Sequence, residues 1–146
     1  MIWNLTTRAL TSQAYQIQNF GVWSLMTPYL KAHIDQMMSK LNTVCFVIQM
    51  IQAIMSQETL RMVYFAYIHS VMSYGIIFWG NQPYSDKIFK IQKRLIRIIT
   101  NSRMRDSCRK LFKKLEILPL YSQYIFSLSI FVIKNKQSDP QYSHKI

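Results

Sequence analysis

Between Lys87 and Lys114 the sequence places eleven basic residues in 28: Lys87, Lys90, Lys93, Arg94, Arg97, Arg103, Arg105, Arg109, Lys110, Lys113 and Lys114, against one acid, Asp106. Cations at this density have one obvious chemistry, the neutralisation of a polyanion, and phosphate oxygens of a nucleic acid come ahead of anionic lipid. The whole chain of 146 residues carries 18 Lys and Arg against 6 Asp and Glu, a net charge of +12, yet the 118 residues outside the segment hold 7 bases and 5 acids. The charge excess is therefore local. With helical periodicity, Lys87, Lys90, Lys93, Arg94 and Arg97 fall within an arc of about 120°, opposite Ile88, Ile91, Leu95, Ile98 and Ile99. One face docks on the domain and the other offers five cations, which Arg103, Arg105, Arg109, Lys110, Lys113 and Lys114 extend. A charge run on a helix is most often a solvated face. Here Asp106 alone could relieve the repulsion from within, which favours an outside anion. A membrane-surface role needs the apolar face turned to lipid, and a bundle core claims that same face.

The other reactive side chains exclude more than they suggest. Asp35, Glu58, Asp86, Asp106, Glu116 and Asp139 are the only carboxylates, and no two are adjacent or spaced three or four apart. A two-metal active site has no ligand cluster among them. Cys45 and Cys108 stand 63 residues apart, and His33, His69 and His144 share no ligand spacing, so no zinc site is expected. The cysteines read as buried thiols of an intracellular, reducing compartment, nuclear or cytoplasmic. His69, without catalytic partners, reads as a structural histidine. The apolar runs from Val44 to Met55 and from Ile125 to Ile133 are interrupted or too short to span a bilayer, and no membrane partner is expected.

These residues require helices to position them. Half the residues are apolar and 14% aromatic, enough for a core, and only 3 are glycine. That composition argues for an all-α domain, an irregular bundle of about five helices. Residues 1–29 show no persistent stripe. From Leu30, the positions Ile34, Met37, Met38, Leu41, Cys45, Ile48, Ile51 and Met55 follow spacings of three and four, which predicts a first helix. Ser56 should cap a second, with Glu58 in its first turn and Leu60, Val63, Tyr64, Tyr67, Ile68, Val71 and Met72 along it, ending near Tyr74 and Gly75. The aromatic and Met stripe of these two helices could stack bases, but its spacing favours core packing. An apolar knot from Ile76 to Trp79 runs into a turn at Gly80 and Pro83, where Phe78 and Trp79 either anchor the turn or meet another domain. Ser85 should cap a third helix from Asp86 to Ile99. A loop from Asn101 to Arg105 leads to a short fourth helix through Leu115, capped by Asp106 or Ser107. Beyond Pro119 a last helix, Ser122 to Lys134, is apolar on nearly every side, and the polar tail from Lys136 should fray.

Several ordered strings in this frame resemble one family. Leu60-Arg61-Met62-Val63-Tyr64-Phe65, then Ile68-His69-Ser70-Val71-Met72-Ser73-Tyr74-Gly75-Ile76-Ile77-Phe78-Trp79-Gly80-Asn81, are similar to the region after the palm in non-LTR retrotransposon reverse transcriptases of the jockey-like kind. The likeness continues through Ile88-Phe89-Lys90-Ile91-Gln92-Lys93-Arg94, Ile96-Arg97-Ile98-Ile99-Thr100, Arg105-Asp106-Ser107-Cys108-Arg109-Lys110-Leu111-Phe112-Lys113-Lys114-Leu115, Ile117-Leu118-Pro119-Leu120 and Ser122-Gln123-Tyr124-Ile125. It covers residues 33–135, leaving a divergent leader, 1–32, and a disordered tail, 136–146. In the leader, Asn19-Phe20-Gly21 lies twelve residues before His33-Ile34, as in the family's palm-to-thumb hairpin, but the Asp and Trp positions hold Leu25 and Leu30. A degraded primer-grip remnant and unrelated sequence both remain open there.

The resemblance implies a thumb and connector without fingers and palm. The family's Tyr-x-Asp-Asp motif has no counterpart, since no Asp-Asp pair occurs in the chain. The parent enzyme's Mg ions therefore have no ligands to carry over, and the chain itself is expected to have no cofactor and no catalysis. What it implies instead is a thumb-like module whose basic strip holds the backbone of an RNA–DNA hybrid without reading sequence. A palm-facing surface left uncovered implies docking to a palm or self-association. A degenerate product without activity, or a helical protein-interaction module, are the alternatives.

Overall fold

A computed structural model describes residues 22–137. The leader positions Asn19, Phe20 and Gly21, and the tail beyond 137 with Asp139 and His144, lie outside the described residues. Every regular element described is helical: α1 (Val22–Ile51), α2 (Gln57–Val63), a π-helical segment (Tyr64–His69), α3 (Ser70–Ser73), α4 (Ile76–Trp79), α5 (Ser85–Ile99), α6 (Cys108–Lys114) and α7 (Leu120–Gln137). Residues 57–73 run as one continuous helix, so the described chain has the five expected helices plus the single turn α4. It is an all-α bundle.

α1 begins before Leu30 and stops before Met55. Its 30 residues make it about 45 Å long. Pro28 sits inside it and cannot donate to the carbonyl of residue 24, so the first turns lack a hydrogen bond. One narrow seam is buried, Leu30, Ile34, Met37, Leu41, Cys45 and Ile48, and it packs chiefly on α5. Burying each such side chain contributes roughly 1.5–3 kcal/mol. Of the stripe predicted for α1, Met38 and Ile51 are partly buried against the core and only Met55, beyond the helix end, is exposed; Phe46 and Met50, outside the stripe, are exposed on the outer face.

Ser56 is the expected N-cap of α2, its hydroxyl accepting from the Thr59 amide at 3.2 Å. The buried positions that follow are Leu60, Tyr64, Ile68 and Met72, each four apart, while Tyr67 is exposed. In a plain α-helix four-residue steps drift by about 40° each. The wider π turns of Tyr64–His69 take that drift back and keep all four on the core. Gly75, at φ 63°, then reverses the chain into α4. Trp79 anchors this corner: it is buried, and its indole Nε1 donates to the Tyr74 carbonyl at 2.9 Å. Gly80 follows because a Cβ there would lie 2.6 Å from the Ile76 carbonyl oxygen and 2.6 Å from the Tyr124 ring.

Ser85 does not cap α5. Tyr84 occupies the cap position, and Ser85 is the buried first residue of the helix, its amide bonded to the Gln82 carbonyl. At the other end Asn101 takes φ 51°, with its amide on the Ile98 carbonyl and that of Ser102 on the Arg97 carbonyl, which closes the last turn. α6 ends the same way at Glu116, φ 54°. The last helix starts at Leu120, two residues before Ser122, and passes Lys134.

One buried amide ties the layers together. Gln92, fully buried on α5, donates from Nε2 to the Tyr64 hydroxyl at 2.8 Å and to the Leu118 carbonyl at 3.0 Å, and its Oε1 accepts from the Leu120 amide at 2.9 Å. Burial pushes the Tyr64 hydroxyl up to about 12, with the Gln92 hydrogen bond opposing it.

Candidate nucleic-acid interface

α5 presents its basic face as its periodicity predicts. Ile88, Ile91, Gln92, Leu95, Ile96 and Ile99 are buried, Lys87, Lys90 and Arg94 are exposed, and Lys93 and Arg97 are half-buried. Neighbouring groups hold the two half-buried cations. The Lys93 ammonium lies 4.6 Å from the centroid of the Phe89 ring, and Arg97 Nη2 donates to the Asp106 carbonyl at 3.3 Å. Arg97 Nε, shielded from solvent, meets no acceptor among the described residues.

α6 flanks one edge of this face. Cys108 Sγ donates to the Lys93 carbonyl at 3.9 Å, and the Phe112 and Phe89 rings stack with centroids 6.3 Å apart. Tyr121 meets Phe89 edge-on and donates a hydrogen bond from its hydroxyl to Asp86, the one carboxylate at the start of α5. Arg109, Lys110, Lys113 and Lys114 on α6 are exposed beside α5. Arg103 and Arg105 lie exposed in the connecting loop, which Asp106 braces by accepting from the Arg103 amide at 2.8 Å. All eleven bases thus lie on two packed helices and the loop that joins them.

α1 flanks the other edge, which no sequence signal indicated. Burial pushes the Cys45 thiol up to about 11, and the positive charge of Arg94 pulls it back. Gln52, just past α1, donates to the Asn101 side chain at 3.0 Å just past α5. Near the start of both helices, Lys31 and Lys87 lie over the same Tyr84 ring. The two helices therefore run side by side in the same direction.

Electrostatically the strip stands open. Among the described residues the ion pairs are Arg61 with Glu58 at 3.3 Å and Arg61 with Glu116 at 3.1 Å, and none of the eleven bases from Lys87 to Lys114 joins one. The chain matches no family model, no curated protein and no solved structure. What the surface can do chemically therefore rests on its own geometry: it can meet a row of phosphates. Among the described residues no group of three or more His, Cys, Asp or Glu side chains is placed to hold a metal ion. His69, its pKa lowered by burial, packs against the Phe65 ring and has no carboxylate partner. No helix of the described residues is long and apolar enough to cross a membrane.

Proposed function

We propose that this chain is a non-catalytic, thumb-like module of a non-LTR retrotransposon reverse transcriptase, which grips a template–primer duplex by its backbone. The observation that carries this reading is the unpaired basic surface continuous over α5, the 100–107 loop and α6. Two further points support it. The helical bundle is the architecture that the resemblance of residues 33–135 implies, and the strip's two acids, Asp86 and Asp106, pair with none of its cations among the described residues. Lys and Arg pair with phosphates whatever the base, so recognition is of shape and charge.

Two short RNA–DNA hybrids of unrelated sequence are expected to bind the full chain with affinities within about threefold of each other in a fluorescence titration. A preference of roughly 100-fold for one of them would mean base readout and would overturn the backbone reading. A second reading, docking to a palm domain or another copy, is favoured by the exposed Phe126, Phe131 and Ile133 on α7.

A further inference from the structure

We propose that Lys31 and Lys87, seated together on the Tyr84 ring, form a phosphate clamp that carries the polyanion interface across from α5 onto α1. The inference rests on the basic-strip reading and adds a site to it. Each ammonium is 5.6 Å from the Tyr84 ring centroid, so the two are no farther apart than twice that. They arrive from different elements: Lys31 from the turn of α1 that follows Pro28, Lys87 from the first turn of α5. Tyr84 is half-buried against the core and fixed as the residue that precedes α5, so its ring is a fixed point that two flexible cationic stems approach.

Two like charges on one ring repel each other unless an anion sits between them. The acids within reach do not supply it. Asp35, one turn along α1, makes no ion pair among the described residues, and Asp86, beside Lys87, accepts a hydrogen bond from the Tyr121 hydroxyl instead. A backbone phosphate meets the need: its oxygens can accept from both ammonium groups at once, and the ring beneath favours the cations without competing for their hydrogen bonds. The site lies at the N-terminal end of the row Lys87, Lys90, Arg94 and Arg97. A duplex strand gripped there is extended onto α1, whose edge facing α5 continues with the exposed amides of Asn42 and Gln49.

The test titrates a short RNA–DNA hybrid against the full chain and its Lys31→Gln, Lys87→Gln, doubly substituted and Lys40→Gln forms. Lys40 is also exposed on α1, but about 180° around the helix from Lys31, so it serves as the charge-matched control. Far-UV circular dichroism verifies that each form keeps its helices. Lys31→Gln is expected to weaken binding about tenfold at about 0.1 M salt and to reduce the log–log salt slope by about 0.9, with Lys40→Gln unchanged. Because the two lysines share a phosphate, the double form should lose less than the product of the single losses. If the wild type binds steeply with salt while Lys31→Gln behaves like Lys40→Gln, the clamp is overturned and the basic-strip reading stands. Multiplicative losses would mean two separate contacts and would also overturn the clamp. If the wild type does not bind hybrid, both fall.

Discussion

Changing Lys90, Arg94 and Arg97 together to Glu is expected to weaken RNA–DNA hybrid binding by roughly 10²–10³-fold at about 0.1 M salt while leaving the helical circular dichroism intact. The magnitude follows from counterion release: each lost phosphate contact removes about 0.9 from the salt slope, so three remove about 2.7, close to three decades at that salt. Reversal adds repulsion to the loss. The fold should tolerate it because Lys90 and Arg94 are exposed and Arg97 keeps only a 3.3 Å bond to the Asp106 carbonyl, while Ile88, Leu95 and Ile96 hold α5 to the core from the opposite face. Unchanged affinity in the triple form would remove the strip from the interface. A loss of helicity would instead show that these cations stabilise the bundle.

The second large effect concerns stability. Gln92→Leu should lower the unfolding free energy by about 3–5 kcal/mol, read as a fall in the urea midpoint with little change in slope. Leu nearly fills the Gln volume, so the loss comes from the groups left behind. The Leu120 amide, the Leu118 carbonyl and the Tyr64 hydroxyl each lose the Gln92 partner that meets them now. Each stranded buried group costs about 1–3 kcal/mol, and a domain of this size has only about 5–15 kcal/mol in total. Gln49→Leu, on the exposed face of α1, is the matched control and should shift stability by less than about 0.5 kcal/mol. A loss under about 1 kcal/mol at Gln92 would contradict the role given to this amide.

Features that depend on local chemistry were readable from the sequence. The cations of α5 lie opposite its apolar stripe because both repeat at helical spacing, and Ser56 caps α2 because a hydroxyl before an acid-bearing first turn meets orphan amides. Features that depend on distant partners were not. The start of α1 has no apolar stripe to mark it and carries Pro28, a residue that by type argues against a helix interior. The π segment shows only as four apolar positions spaced by four, a pattern a plain α-helix also tolerates. Ser85 looks like a cap by type, yet the turn from Gln82 supplies that closure and leaves Ser85 buried. Gln92 is one more polar residue on a helix rich in charged ones, with nothing local to show that Tyr64, Leu118 and Leu120 converge on it. Lys31 reaches the basic surface only because α1 and α5 run side by side.

The central claim is that phosphates occupy the strip. The most direct measurement is the affinity of the full chain for a short RNA–DNA hybrid as a function of salt. If five to seven phosphates are neutralised, log K against log salt should fall with a slope of roughly −4 to −6. A slope between zero and about −1, or no binding at low salt, would contradict it.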